Sequence, residues 1–257
     1  MTSNRKLDLL TSQDPTPAGL INREGRSLFL LLGDHAGNRV PERLMSLGLD
    51  GSDLSRHIAL DIGVEKLGRC LADELDAPFV FQRYSRLVID CNRALSHADS
   101  IVAESDGIPI PGNNALRFEQ RQVRACEIYA PYHNAIADLL AERDNRGLQS
   151  IIVSLHSFTP TLAGEFRPWQ VGVLYNKDHG SFASTVLSDL RNSDLVVGDN
   201  RPYQFDDTDF TVPKHAIADG RSYVEFEVRQ DMLEALDAIA AMTQQLSRVL
   251  VQAAAKS

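Results

Sequence analysis

Two long apolar runs constrain the fold of this chain more than any other feature. SLFLLLG occupies residues 27–33, and SIIVSLHSFTP, at residues 150–160, begins with a comparable run. Continuous runs of this kind are typical of strands that are buried on both faces of a parallel sheet. Two shorter stretches, VGVLYN at 171–176 and YVEFEV at 223–228, predict further strands.

Helical patterns separate the predicted strands. Apolar residues recur every three to five positions from Ile58 to Leu71 and predict a helix over residues 55–74. A similar pattern predicts long helical structure over residues 114–146, kinked at Pro131 because proline cannot donate a backbone hydrogen bond. Strands that alternate with helices predict a three-layer α/β fold with a mixed, largely parallel sheet. The other predicted elements are a short helix whose first turn holds Pro41 and Glu42, a strand pair at 79–82 and 86–90, a long loop over 94–114, a helix cap at Gly147, a helix over 181–191, a short strand at 196–198 and a last helix from Asp231.

The composition narrows the class of protein. With 43% hydrophobic and 24% charged residues, the chain is neither disordered, collagen-like nor a coiled coil. No linker-like segment interrupts it, so we expect one domain over residues 1–257, with residues 1–26 as a polar N-terminal arm that docks or frays. The net charge of −9 argues against nucleic acid or an anionic membrane as the main partner. No apolar run has the length of a membrane span or a secretory signal, so we expect a cytoplasmic protein.

Familiar cofactor and nucleophile motifs are absent from the sequence. It contains no GxGxxG or GxxxxGK[ST] phosphate loop and no GxSxG nucleophile turn. Its three cysteines, Cys70, Cys91 and Cys126, form no CxxC pair, so neither a disulfide framework nor a thiolate zinc site is indicated. We expect all three to be buried free thiols.

Polar side chains stand at the ends of the predicted strands. Active sites of α/β folds lie at the carboxyl ends of strands, so these side chains are candidates for one shared pocket. A single histidine or glutamate in such a place is more often a capping or surface residue. The coincidence of four clusters is the stronger signal: Asp34-His35, Asp90-Cys91-Asn92-Arg93, His156-Ser157 and Glu225/Glu227-Arg229.

His35 and His156 are the candidate metal ligands. Neutral imidazole together with a carboxylate is the common ligand set of catalytic zinc, which keeps one position for water. The two histidines lie far apart in the chain, and neither HExxH nor HxxE occurs, so spacing supplies no local motif. From the residues alone, the third ligand stays open among Asp61, Asn38, Asp34 and Glu42.

Glu227 is the candidate general base. In a strand it shares a face with Glu225, while Phe226 between them enters the core. A carboxylate in such a site can accept a proton from water and return it to a leaving amine. The alternative is an ion pair between Glu227 and Arg229.

Arg86, Asn92 and Arg93 are the candidates for binding a substrate carboxylate. A guanidinium fork matches the geometry of a carboxylate well, and the two arginines bracket the LVIDCN segment. The alternative is an internal salt bridge with Asp90. The other histidines are predicted to be surface or core residues: His57, His97, His133, His179 and His215.

Seven segments, taken in order, resemble the N-formylglutamate amidohydrolase family. Each segment alone is a weak signal, but their common order over about residues 27–250 is specific. They are DHAGNRVP (34–41), RHIALDIGVEKL (56–67), RYSRLVIDCNR (83–93), PYHNAI (131–136), SLHSFTP (154–160), DNRPY (199–203) and VEFEVRQD (224–231).

The resemblance implies roles for several candidates. His35 and His156 match the two histidine ligands of the family, and Asp61 is then the third ligand or a close partner of the ligands. Glu227 lies in a segment similar to the one that carries the general base of zinc carboxypeptidases. Asn92 and Arg93 resemble a pair that binds a terminal carboxylate in those enzymes.

The resemblance also implies an activity. The fold would be phosphorylase/hydrolase-like, related to zinc carboxypeptidases and aspartoacylases, although Asn38 stands where the carboxypeptidases have a glutamate ligand. The implied reaction is zinc-dependent hydrolysis of the N-formyl, or another N-acyl, amide of an acidic amino acid such as N-formyl-L-glutamate. The partner would be a small anionic N-acyl amino acid. The alternatives are a carboxypeptidase-like hydrolase of small peptides and a non-catalytic ligand-binding relative that has lost its metal.

Overall fold

The computed structural model describes residues 8–256, which form eleven strands and six α-helices. The strands are β1 (Ala18–Ile21), β2 (Phe29–Gly33), β3 (Phe79–Gln82), β4 (Glu104–Ser105), β5 (Ile108–Pro109), β6 (Ile151–Phe158), β7 (Thr161–Leu162), β8 (Glu165–Phe166), β9 (Val171–Leu174), β10 (Val197–Asp199) and β11 (Tyr223–Arg229). The helices are α1 (Val64–Leu75), α2 (Phe118–Arg124), α3 (Ala130–Asn145), α4 (Ser181–Leu190), α5 (Thr211–His215) and α6 (Leu236–Ala254).

Seven of these strands form the central sheet, in the order β1–β3–β2–β6–β11–β9–β10. β1 is antiparallel to β3 and β9 is antiparallel to β11, whereas the other four pairs are parallel. The remaining strands form two small hairpins, β4–β5 and β7–β8. The predicted mixed, largely parallel sheet is confirmed.

The sheet is buried on both faces by helices. Leu31 of β2 packs in the core with residues of α1, α4 and α6, whereas Leu30 and Leu32 pack on the opposite face with residues of α3 and α5. Side chains of a strand alternate between the faces, so a run of leucines supplies both cores at once. The three-layer α/β fold predicted from the apolar runs is confirmed.

Parallel pairing brings four carboxyl ends to one edge of the sheet. The strands β3, β2, β6 and β11 are neighbours that run in the same direction. His35 follows β2 by two residues, and His156 lies near the end of β6. Glu227 of β11 is the register partner of His156. The fold therefore gathers candidate residues from three separate parts of the chain.

Two sequence predictions in the neighbourhood of this edge are wrong. The helix predicted over residues 55–74 begins only at Val64, after Gly63, whose φ of +85° is left-handed. The residues before it form turns, and the amide of Asp61 donates to the carbonyl of His35, which holds this turn against the end of β2. Residues 86–90 form a turn rather than a strand, because the amide of Val88 bonds back to Ser85.

Three helix boundaries also differ from the predictions. The helical region over residues 114–146 divides into α2, a π-helical turn (Ala125–Tyr129) and α3, and Pro131 lies in the first turn of α3. The short helix predicted near Pro41 is instead irregular 3₁₀ structure (Glu42–Gly48) with left-handed residues inside. The last helix begins at Leu236 rather than at Asp231, because a 3₁₀ turn precedes it.

The predictions for the N-terminal arm and for the cysteines are wrong in part. Residues 18–21, expected in the arm, form β1 at the edge of the sheet, whereas residues 1–7 of that arm lie outside the described part. Cys91 is a buried free thiol as predicted, but Cys70 and Cys126 are exposed because they lie on outward faces of helical segments. None of the helices among residues 8–256 is long and apolar enough to cross a bilayer.

A buried pair of histidines joins α5 to α3. Nδ1 of His133 lies 3.0 Å from Nε2 of His215, and Nε2 of His133 lies 3.0 Å from the carbonyl oxygen of Cys91. Burial lowers the pKa of His133 to about 4. Burial and then the charge of His133 lower the pKa of His215 to about 3. Both rings are therefore neutral in the folded protein near pH 7.

We expect acid to destabilise the protein through this pair. The ordinary histidine pKa is about 6.5, so the unfolded chain takes up protons first as the pH falls. The free energy of unfolding should be highest above about pH 6.5 and should fall toward about pH 4, by about 1.4 kcal/mol for each unit of pKa lowering. Urea unfolding at a series of pH values measures this slope. The His215→Gln variant, which has one titrating ring fewer, should show a shallower slope, and equal slopes would contradict the assignment.

Candidate active site

A cavity of about 530 Å³ opens at the carboxyl edge of the parallel strands. Three buried side chains, His35, Asp61 and His156, stand at its wall and come from the end of β2, the turn before α1 and β6. Each offers one ligand atom, and these atoms all lie within 4.8 Å of one another. The structure thus brings together the two histidines with one of the four candidates for the third ligand.

The two nitrogens of the His35 ring have different surroundings. Its Nε2 lies 2.6 Å from Oδ1 of Asp90 in a hydrogen bond. Its Nδ1 is buried, makes no hydrogen bond to any of residues 8–256 and lies 3.4 Å from Oδ2 of Asp61. A histidine whose second nitrogen is held by a carboxylate is the common arrangement of metal ligands. The free Nδ1 is thus an atom that a bound cation would satisfy.

His156 contacts the same carboxylate oxygen of Asp61 from another strand. Its Nδ1 lies 2.9 Å from Oδ2 of Asp61. Its Nε2 lies 3.2 Å from the Ser154 hydroxyl and 3.5 Å from Oδ2 of Asp34. Both imidazoles therefore direct Nδ1 to the same carboxylate oxygen, whereas Nε2 is bonded to Asp90 in His35 and to the Ser154 hydroxyl in His156. This buried set of two nitrogens and one oxygen fits zinc or a similar divalent ion.

The charges around this group keep Asp61 ionised. Burial would raise its pKa, but the charge of His35 and the hydrogen bond and charge of His156 lower it below the ordinary value. Arg86 adds a contact of 3.3 Å from its guanidinium to Oδ1 of Asp61. An ionised carboxylate is the form that binds a metal, so Asp61 is ready for this role.

Arg86 connects Asp61 with Asp90. Its second terminal nitrogen lies 2.8 Å from Oδ2 of Asp90, the residue that holds His35. The salt bridge with Asp90, foreseen as an alternative, is thus present, and it is shared with Asp61. Arg86 still lines the cavity, and its side chain keeps 27% of its surface exposed.

Glu227 and Glu225 present two carboxyl groups to the cavity from one face of β11. Both line it, whereas Phe226 between them is fully buried in the core. Oε2 of each glutamate is buried and lacks a hydrogen-bond partner among the described residues. Burial raises the pKa of Glu227 to about 8, against the opposing charge of His156. Arg229 is bound to Asp231 instead, so the alternative ion pair is not formed.

Asn92 and Arg93 line the cavity opposite β11. Oδ1 of Asn92 accepts hydrogen bonds from the amides of Phe210 and Thr211 at the start of α5, and its Nδ2 donates to Asp209 at 3.3 Å. Arg93 donates to the carbonyl oxygens of Asn92 and Thr208 and lies 3.8 Å from Asp209. Both residues therefore also hold the segment around α5 against the site.

The other candidates for the third metal ligand lie elsewhere. Asn38 is exposed and donates to the carbonyl of Leu54, and Glu42 is exposed beside Thr11. Asp34 is buried close to His156, but its Oδ1 accepts from the hydroxyl of Thr211. Asp34 is thus a neighbour of the group formed by His35, Asp61 and His156 and not a member of it.

Several residues of the site were not found by sequence reasoning. Asp90 was noticed as part of a cluster but not as the partner of His35, because that bond joins residues far apart in the chain. His57 was expected outside the site, yet it lines the cavity. The segment after β10 also lines the cavity, and in the sequence only its DNRPY motif (199–203) indicated this. The lining residues of the segment are Pro202, Tyr203, Gln204, Asp206, Thr208 and Asp209.

Two solved structures share the fold of this chain. The crystal structure of a gene product from Agrobacterium tumefaciens is 31% identical, covers 96% of this chain and 98% of its own, and superposes with a TM-score of 0.93. That of N-formylglutamate amidohydrolase from Ralstonia eutropha JMP134 is 18% identical, covers 94% and 98%, and has a TM-score of 0.69, which shows a shared fold. This fold with a buried His–Asp–His group defines an α/β protein with a candidate metal site.

The sequence then identifies the family. The sequence model of the N-formylglutamate amidohydrolase family matches residues 27–233. The chain therefore belongs to the N-formylglutamate amidohydrolase family, and the resemblance read from its motifs is confirmed. No curated protein matches the chain.

Proposed function

We propose that the protein is a metal-dependent amidohydrolase that cleaves the N-formyl, or another N-acyl, amide of an acidic amino acid, with N-formyl-L-glutamate as the reference substrate. One observation carries the proposal. Nδ1 of His35 is buried without a hydrogen-bond partner in the described part of the chain, while its Nε2 is held by Asp90, at the wall of a large cavity. This arrangement favours a bound cation over a packed core histidine.

The ligands of the cation are His35, Asp61 and His156, and zinc is the ion that this donor set favours. When bound, the ion supplies a Lewis acid for the acyl carbonyl and for water. Asp90 orients the imidazole of His35 through Nε2, and the Ser154 hydroxyl does so for His156, with Asp34 3.5 Å from the same nitrogen. Arg86 completes the support, because it bridges Asp61 and Asp90.

Glu227 carries the proton between water and the leaving nitrogen. Its carboxyl group lines the cavity beside His156, its register partner, and Oε2 has no hydrogen-bond partner within residues 8–256. Burial raises its pKa to about 8. A group that both accepts and returns a proton works best when its pKa lies near the working pH, and this value is closer to neutral pH than that of an ordinary carboxyl group.

Arg86, Asn92 and Arg93 anchor the α-carboxylate of the substrate. The two guanidinium groups are partly exposed to the cavity, and Nδ2 of Asn92 has a second N–H besides the one given to Asp209. A carboxylate bound by this set would be held in place while the amide reaches Glu227, which is how positioning contributes to rate.

The first experiment compares zinc-loaded and chelator-stripped protein with N-formyl-L-glutamate. Release of formate and of the free amine should depend on zinc. A zinc-bound protein without turnover would move the substrate to another N-acyl amino acid or to a small peptide, as in the carboxypeptidase-like alternative. A protein that takes up no zinc at saturating concentrations would contradict the enzyme proposal and favour the ligand-binding alternative.

A further inference from the structure

Arg167 is a buried guanidinium group that the proposed reaction does not use. It directly follows β8 and is only 8% exposed. Unlike Arg86 and Arg93, it forms no salt bridge with any of residues 8–256, and its Nη2 is buried there without a hydrogen-bond partner. A buried charge without an opposite charge is costly, so its presence near the site indicates that an anion binds close to it.

The contacts of Arg167 place it directly behind the cavity wall. Its Nε donates to the carbonyl oxygen of Thr159 at 2.8 Å, and its Nη1 donates to the hydroxyl oxygen of Tyr203 at 2.9 Å. Its guanidinium carbon lies 5.0 Å from the centroid of the Phe158 ring and 5.3 Å from that of the Tyr203 ring. Phe158, Thr159 and Tyr203 all line the cavity. The Tyr203 hydroxyl therefore connects the charge of Arg167 with the cavity.

The Tyr203 hydroxyl retains a hydrogen to donate. Its oxygen accepts from Arg167, and its own O–H has no acceptor in the part of the chain that the structure describes. Burial and the charge of Glu227 raise the pKa of Tyr203, against the hydrogen bond from Arg167, so the phenol stays protonated near pH 7. Tyr203 is 42% exposed and within reach of a ligand. A hydroxyl that accepts from a cation is a polarised, stronger donor, and such a donor suits an anion.

Tyr203 stands where the cavity adjoins a second one of about 310 Å³. His57, Arg86, Arg93 and Tyr203 line both cavities. The group of His35, Asp61 and His156, together with Glu227, lines the first cavity but not the second. Tyr203 therefore borders space for a part of the substrate other than the reacting amide.

The charges of an acidic substrate require a further donor at this place. An N-acyl derivative of an acidic amino acid carries two carboxylates, and the α-carboxylate is assigned to Arg86, Asn92 and Arg93. Arg86 already contacts Asp61 and Asp90, and Arg93 faces Asp209. The guanidinium of Arg167 has no such partner, so its positive charge is available, through Tyr203, to the second carboxylate.

We propose that Tyr203 is a specificity-determining residue whose hydroxyl donates a hydrogen bond to the side-chain carboxylate of the substrate, and that Arg167 is the positioning residue that holds this hydroxyl and supplies the positive charge. This inference rests on the proposed amide hydrolysis. It names the part of the site that recognises the acidic side chain.

N-formyl-L-glutamate and N-formyl-L-glutamine test the role of Tyr203, because they are nearly isosteric and differ in charge at one end. The zinc-loaded wild type should cleave the glutamate compound with a kcat/KM about tenfold higher or more. In Tyr203→Phe this ratio should fall about tenfold, through a raised KM for the glutamate compound, because a hydrogen bond to a charged acceptor is about twice as strong as one to a neutral acceptor. Tyr175→Phe removes a hydroxyl that is bound to Asp199 outside the cavity, and it should keep the wild-type ratio.

Two variants of Arg167 test whether it acts through its charge. Arg167→Met removes the charge and should lower the ratio of kcat/KM values by about tenfold, while kcat for the glutamine compound stays near the wild-type value. Arg167→Lys keeps a charge that can donate to Tyr203 and should restore part of the preference. Equal ratios in the Met and Lys variants, with both proteins folded by thermal unfolding, would contradict the role of the charge.

Three results would overturn the inference about Tyr203: no preference for the glutamate compound in the wild type, an unchanged ratio in Tyr203→Phe, or a kcat that falls by the same factor for both compounds. The last result would place the hydroxyl at the reacting carbonyl instead.

A binding measurement keeps this inference separate from the proposed function. If neither formyl compound is cleaved, the proposed function fails for these substrates. Calorimetric binding of L-glutamate and L-glutamine to the wild type and to Tyr203→Phe then decides the inference about Tyr203. A preference for glutamate that disappears in the variant supports it, and equal binding of the two amino acids by the wild type contradicts it.

Discussion

Glu227→Gln is expected to lower kcat for amide hydrolysis by about 100- to 10,000-fold, the range that a general base contributes. The substitution removes the group that takes and returns the proton but leaves the shape of the side chain intact. Oε2 of Glu227 has no hydrogen-bond partner among the described residues, so the fold should lose little. The measurement is formate release by the zinc-loaded variant at saturating substrate, with the zinc content determined on the same sample.

The controls separate a chemical role from a structural one. Glu227→Gln should bind zinc in the same amount as the wild type, because Glu227 lies outside the group of His35, Asp61 and His156. Glu74→Gln should retain wild-type kcat, since this glutamate is exposed on α1. A Glu227→Gln protein with wild-type kcat would remove Glu227 from the reaction.

Asp61→Asn is expected to weaken zinc binding by more than about 100-fold and to reduce turnover to background, because loss of a direct ligand exceeds the cost of losing an outer partner. The carboxylate lies between two imidazoles, 3.4 Å from Nδ1 of His35 and 2.9 Å from Nδ1 of His156. An amide in its place can neither neutralise the cation nor present an ionised oxygen. Zinc stoichiometry and affinity by competition with a chelator measure the effect.

The other candidate ligands serve as a graded set of controls. Glu42→Gln and Asn38→Ala change exposed side chains and should leave zinc affinity unchanged. Asp34→Asn changes a carboxylate 3.5 Å from Nε2 of His156 and should cost about 10- to 100-fold, as for an outer partner. Full zinc affinity in a folded Asp61→Asn protein, checked by thermal unfolding, would show that Asp61 is not a ligand.

The two predictions concern different parts of one site and should separate cleanly. Asp61→Asn acts on the ion, so both zinc content and turnover fall. Glu227→Gln acts on the proton, so turnover falls while zinc remains. A loss of zinc in both variants would indicate that β11 and β6 move together, because Glu227 and His156 are register partners.

Local patterns predicted the elements that bury long apolar runs. The runs at 27–33 and 150–160 became β2 and β6, because such runs are stable only between two apolar layers. The same local reasoning failed for residues 55–63 and 86–90, whose backbone forms turns. There the apolar spacing is compatible with a helix or strand, but hydrogen bonds to the site, such as that from Asp61 to His35, determine the conformation.

The candidate site divides in the same way. The sequence predicted that His35, His156 and Glu227 lie at the ends of strands, and active sites of α/β folds lie at the carboxyl ends of strands. The choice of Asp61 among four acids or amides, the bond from His35 to Asp90, and the role of Asn92 at the start of α5 all depend on contacts between residues far apart in sequence.

The sequence by itself determined the α/β architecture, the family and the residue types available for a metal site. The periodicity of apolar residues reflects burial, and a continuous apolar run is by itself enough to predict a strand that is buried on both faces of a sheet. Only the tertiary structure decided which carboxylate stands between the histidines and that Oε2 of Glu225 has no hydrogen-bond partner among the described residues. Those properties arise from distances of a few ångströms between side chains on separate elements, and no local pattern encodes them.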